Sequence, residues 1–156
     1  MNTDVEKIIR EYIDKSLHMS LATVSGDRPW VCEVHFAYDD NLNLYFRSLK
    51  SRRHSQEISI NPHVAGTIVK QHGLDDAPHG IYFEGTAELQ EDQSRFPEYY
   101  EYFKQRQKVD EGIIEQAKQE DGHKFYKITV EKWYAFGKFG EEKAIKHTLD
   151  WNGGQK

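Results

Sequence analysis

Two periods of apolar residues alternate along the chain. Near the N-terminus Val5, Ile8, Ile9, Tyr12 and Ile13 recur at the spacing of one helical face, behind a T-x-x-E capping box formed by Thr3 and Glu6. The spacing predicts a helix over residues 4–15. The period then falls to two. "HMSLATV" at 18–24 and "WVCEVHFAY" at 30–38 carry β-type residues on either side of the turn "SGDRP". They read as a hairpin, with Trp30, Cys32, Val34, Phe36 and Tyr38 on one face. "LYFRS" at 44–48 is a third strand, followed by a short helix over 51–60 that Asn61-Pro62 stops. Strands resume at 64–70 and 81–89. In the latter Ile81, Phe83, Gly85, Ala87 and Leu89 alternate with polar or amphipathic neighbours, which predicts one buried face.

From 91 to 120 the period is helical again. Pro97 stands near a start, the aromatics Tyr99, Tyr100, Tyr102 and Phe103 supply packing, and Gly112 divides the stretch into two helices. Strands return at 124–130 and 133–136, ahead of a charged tail. No repeat, low-complexity linker or second core is visible. The order predicts a mainly β (α+β) fold: an antiparallel barrel with an N-terminal helix and a helical insertion before the last strands.

Composition narrows the picture. At 156 residues, 37% hydrophobic, the chain suffices for one domain, 1–156, around a single core spanning about 18–140. No apolar run approaches the roughly 18 residues of a membrane helix, and the N-terminus lacks a signal-peptide segment. A cytoplasmic protein with no membrane partner is expected. Cys32 is the only cysteine, so neither a disulfide framework nor a thiolate metal site is available. The eight histidines show neither H-E-x-x-H nor a tight His–carboxylate spacing, and no metal site is read from them.

A formal charge of -5 makes a local basic cluster conspicuous: Arg47, Lys50, Arg52, Arg53 and His54 fall within eight residues at the start of the second helix. A solvated helix end is the plain reading. Cations there oppose the helix dipole, however, and an anion would compensate them. First-turn amides, the Ser48 and Ser51 hydroxyls and the guanidinium forks of Arg52 and Arg53 could converge on one phosphate. Acidic neighbours at 39–40 and 75–76 interrupt the basic stripe that a nucleic acid would need, so a small phosphorylated ligand is favoured over nucleic acid. No Rossmann or P-loop glycine motif competes for that role. On the preceding strand, His35 faces either a ligand or water. Glu33 is either a proton-transfer group or an ordinary strand carboxylate.

The runs "GDRPWVCEVHFAY", "LYFRS", "SRRHSQEI", "NPHVA" and "FEGTAEL" together resemble the pyridoxamine 5'-phosphate oxidase-like FMN-binding split-barrel proteins, over residues 18–140 and most specifically 44–65. The resemblance implies a six-stranded antiparallel split β-barrel working as a homodimer with two FMN molecules at its interface. It implies phosphate binding by Arg47, Ser48, Ser51, Arg52, Arg53 and His54, with the family's basic pair falling on Arg52 and Arg53 or on Arg53 and His54. Main-chain contacts to the flavin ring edge would come from Val31, Cys32, Glu33, Val34 and His35. Trp133 and Lys138 would reach the flavin of the partner subunit. The R-x-H element that pyridoxamine phosphate oxidases use for substrate phosphate has no counterpart here. The implied function is an FMN-dependent oxidoreductase acting on a small molecule, with no side chain singled out as catalytic. Binding of F420 or haem on the same fold, or flavin binding without catalysis, are the alternatives.

Overall fold

The computed structural model describes residues 4–154. Helix α1 (Val5–Lys15) opens at Asp4, whose side chain accepts from the Lys7 amide at 3.1 Å, and buries Ile9, Tyr12 and Ile13. Thr3, the first residue of the expected capping box, lies outside the described residues. Strands β1 (His18–Ser25) and β2 (Arg28–His35) form the expected hairpin, closed by a two-residue loop in which Gly26 takes φ +61°. That conformation costs a side-chain-bearing residue a Cβ clash.

After a one-residue break at Phe36 come the short β3 (Ala37–Tyr38) and β4 (Leu44–Ser48). Helix α2 (Arg53–Ile60) starts two residues later than its sequence pattern suggests. Arg52 is its extended N-cap and makes no side-chain capping bond. Strands β5 (His63–Ile68) and β6 (Gly80–Leu89) follow, then α3 (Phe96–Lys104), with its proline in the first turn, and α4 (Gly112–Lys118). The two strands expected at 124–136 are one, β7 (Lys124–Gly137). The charged tail, in which no element was expected, forms an eighth strand, β8 (Ile145–Asp150), paired antiparallel to β7. Its side chains are exposed or half-buried, so it carries almost no apolar alternation to read.

The strand order is β2-β1-β5-β6-β7-β4-β3, antiparallel throughout, with β8 attached to β7. The fold is thus a curled antiparallel sheet of the split-barrel kind, with eight strands where the resemblance implied six. Strands β2 and β3 are consecutive in the chain yet stand at opposite ends of the sheet. The chain itself therefore draws the two ends together at Phe36. Between β2 and β4 remains a seam without a hydrogen-bonded ladder.

Two apolar clusters stand back to back across β4 and β7, where a single core was expected. Phe46, Ile128, Val130 and Trp133 face the barrel interior with Phe83, Leu21 and the buried face of α1. Tyr45 and Phe125 point the other way, into a second cluster with Phe96, Tyr99, Phe103 and Ile113 of the insertion. The insertion aromatics are packing residues, as expected. Trp30, placed with the buried row by alternation, is instead 39% exposed, because β2 is an edge strand whose hairpin end projects beyond the core.

The β6–β7 ladder shifts register between Glu84 and Gly85. A Cβ built on Gly85 would come within 2.2 Å of the Thr129 carbonyl oxygen, so the two backbones approach closer than any side chain permits. Gly85→Ala is expected to destabilise the fold by about 1–3 kcal/mol, read as a lowered urea midpoint at unchanged slope. An unchanged midpoint would mean that the shifted register is not held by this contact.

Candidate functional site

A cavity of about 530 Å³ opens along the seam, within the roughly 300–1,000 Å³ of small-molecule sites. Strand β2 lines it with Glu33, Val34 and His35, β4 with Arg47 and Ser48, and the α2 entry with Arg52 and His54. The opposite wall comes from the insertion and the turn after it: Phe103, Gln107, Gln116 and His123. Two segments read separately in the sequence, the β2 end and the basic cluster, thus meet in one place.

The positive charge of this cavity is mostly uncompensated. Arg47 donates through Nη2 to Gln116 Oε1 at 2.8 Å, while its Nε is buried without a partner. Burial alone lowers the Arg47 guanidinium below its ordinary pKa, with no anion acting against it. Arg52 makes no ion pair within 4 Å among the described residues. Burial and the nearby Arg47 and Arg52 push the His123 imidazole down, so it is neutral beside them at pH 7. The one carboxylate on the wall, Glu33, is occupied: it meets His18 Nδ1 at 2.6 Å and accepts from the Ser20 hydroxyl. His35 stacks on His18 with ring centroids 6.2 Å apart.

His54 is 9% exposed. Its Nε2 lies 2.8 Å from Ser48 Oγ and its Nδ1 3.4 Å from Cys32 Sγ. Burial and then repulsion from Arg52 lower its pKa, against an opposing pull from Glu57. Cys32 is half-buried beside it, and burial followed by the charge of Glu33 raises its thiol pKa. Both groups are therefore neutral near pH 7.

Other expected site residues lie elsewhere. Arg53 turns away from the cavity. Its Nε donates to Glu57 at 2.9 Å and its guanidinium lies 4.2 Å from the Trp30 ring centroid. Glu57 is buried and also accepts from Thr23 Oγ1 at 2.7 Å. That hydroxyl first, and Arg53 next, hold its carboxyl below the usual range. The triad fastens α2 to β1. Of the basic residues in the cluster, Arg47, Arg52 and His54 face the cavity, so the basic pair on its wall is Arg52 with His54, where the resemblance implied Arg52 with Arg53 or Arg53 with His54. Ser51 is exposed in the preceding turn, and Val31, 59% exposed, points outward from β2.

Trp133 is wholly enclosed, edge-on to Phe83 at 5.7 Å, and offers no surface to a ligand. The alternation of β7 puts it inside the barrel. Lys138 lines a different hollow of about 380 Å³, with Tyr12, Lys70, His79 and Phe139. Conversely, sequence reasoning did not single out Phe103, Gln107 or Gln116 as wall residues, nor His123 among the eight histidines. They carry no motif and lie at least 49 residues beyond the basic cluster, so only the fold brings them to it.

Comparison with known proteins agrees with this architecture. A family model described as pyridoxamine 5'-phosphate oxidase matches residues 5–137. A UPF0306 protein of Photorhabdus laumondii subsp. laumondii is 30% identical over 84 residues, a match covering 53% of this chain and 59% of that protein. The chain thus spans under two thirds of that relative's length. Among solved structures, a haem-binding protein from Mycobacterium smegmatis superposes with a TM-score of 0.76 at 13% identity, over 99% of this chain and 61% of the other. A candidate pyridoxamine 5'-phosphate oxidase from Listeria innocua superposes with a TM-score of 0.63 at 25% identity, over 85% of this chain and 98% of its own.

Proposed function

The chain belongs to the pyridoxamine 5'-phosphate oxidase family, and from that premise we propose that it binds FMN in the seam cavity and works as an FMN-dependent oxidoreductase on a small molecule. The observation that carries this reading is the buried, unpartnered Nε of Arg47 in a cavity that also holds Arg52 and Ser48. A charged donor left unpaired at a cavity wall calls for an anion, and a phosphate ester supplies one.

The residues fit the group. Arg52, at the uncapped start of α2, and Arg47 would hold the phosphate, with Ser48 donating a hydroxyl. Strand β2 is a sheet edge, so half of its backbone groups have no strand partner and are free to meet the polar edge of a flavin ring. Phe103 and Val34 give the cavity its apolar surface. When bound, the flavin supplies hydride or single-electron transfer; the protein binds, orients and shields it. The same reading carries a homodimer, supported by the edge position of β2 and the exposed Trp30 and Val31 on it.

The likeness to the mycobacterial haem-binding protein, together with His35 and His123 on the wall, makes haem the second reading. Titration of FMN into the purified protein, followed by flavin fluorescence, separates the two. One FMN per chain, bound saturably by a dimer in sedimentation, is the expected result. A Soret band in the purified protein, or the absence of any FMN binding, would overturn it.

A further inference from the structure

We propose that His54 and Cys32 are positioning residues that together aim the hydroxyl proton of Ser48 into the seam cavity, where it is donated to a bound phosphate ester. The ligand in this inference rests on the FMN reading above; the proton arrangement does not.

The three side chains form a line: Cys32 Sγ, 3.4 Å to His54 Nδ1, then His54 Nε2, 2.8 Å to Ser48 Oγ. A neutral imidazole has one nitrogen that donates and one that accepts, and whatever occupies the first decides what the second does. A neutral thiol is weak both as donor and as acceptor, whereas an unprotonated imidazole nitrogen accepts well, so S–H to nitrogen is the better of the two pairings. The favoured arrangement therefore runs from Cys32 S–H to His54 Nδ1, which leaves the ring proton on Nε2, pointing at Ser48 Oγ. The serine oxygen then accepts, and its own proton must go elsewhere.

Among the described residues its other partner is the Leu49 carbonyl at 3.4 Å. That is long for an O–H donor, whose bonds normally measure 2.5–3.0 Å. Ser48 is 5% exposed and lines the cavity, so the proton that His54 refuses has the cavity as its better outlet. Burial favours the neutral forms this requires, with the Cys32 thiol pushed up and the His54 imidazole pushed down. In the opposite tautomer Ser48 would donate to His54 and present only lone pairs to the cavity, which repel an oxyanion. The thiol, itself outside the cavity wall, thus sets whether the wall attracts or repels a phosphate.

The test is a double-mutant cycle on FMN affinity, with Cys32→Ala, Ser48→Ala and the pair. Ser48→Ala should weaken binding about tenfold, the worth of one hydrogen bond to an anion. Cys32→Ala should weaken it about three- to tenfold, Cys32→Ser should restore most of that loss, and the double variant should bind no worse than Ser48→Ala alone. A Cys32→Ala variant with wild-type affinity, or losses that multiply, would overturn the proposal.

Nitrogen-15 NMR of the ligand-free protein reads the tautomer directly. It should show the His54 proton on Nε2 in the wild type and a shift toward Nδ1 in Cys32→Ala; a wild-type proton on Nδ1 also overturns the idea. If the wild type does not bind FMN, the flavin reading falls separately. The cycle is then run with inorganic phosphate, for which the same pattern supports the proposal and its absence ends it.

Discussion

Replacing Arg106 with alanine is expected to cost about 2–4 kcal/mol of folding stability, because three backbone carbonyls lose a charged donor at once. This side chain follows α3 and reaches back to the opposite end of the chain. Its Nε donates to the Phe36 carbonyl and its Nη1 to the Ile13 carbonyl, each at 2.8 Å, and its Nη2 donates to the Ser16 carbonyl. The guanidinium also lies 4.4 Å from the Phe36 ring centroid and 5.0 Å from that of Tyr38. One fork thereby joins the end of α1, the entry to β1 and the break between β2 and β3. Truncation leaves three carbonyls short of a donor where water has little access. Arg106→Lys should recover less than half the loss, since a single ammonium cannot reproduce the planar fork. The measurement is urea denaturation, and a loss under 1 kcal/mol would show that these carbonyls rehydrate without difficulty.

Arg52→Ala is expected to weaken FMN binding by about 1.5–3 kcal/mol, on the order of ten- to a hundredfold. Its neighbour should behave differently. Arg53→Ala should lower the urea midpoint, because Glu57 loses the cation that helps fasten α2 to β1, yet leave FMN affinity within about twofold. Fluorescence titration and denaturation of both variants give four numbers. If the two arginines exchange these roles, the phosphate lies on the Trp30 side of α2 and not in the seam.

Much of this was legible in the chain. Helix α1, the β1–β2 hairpin, β4 and β6 follow from apolar periodicity and turn residues, because each buries one face and exposes the other. The basic cluster stood out in the sequence as an expected anion site on dipole grounds. Periodicity did not reveal which arginine of the adjacent pair turns inward, since that depends on Glu57, one turn further along the same helix and buried there by the fold. Strand β8 escaped notice because "IKHTLD" packs only Leu149 against the core and owes its place mainly to backbone pairing with β7. Trp133, which the family resemblance implied as a cofactor contact, is turned into the barrel by the alternation of its own strand. Gln107 and Gln116 had no signature at all; they matter only through where the insertion comes to rest.

Strand β7 is the shared neighbour of β4, β6 and β8, and it enters the chain only at residue 124. During synthesis, β4 and β6 therefore wait with raw edges for a companion still inside the ribosome, β4 some eighty residues out by then. Nascent chains that stall before this point expose one free edge each on β4 and β6, able to capture each other or another polypeptide.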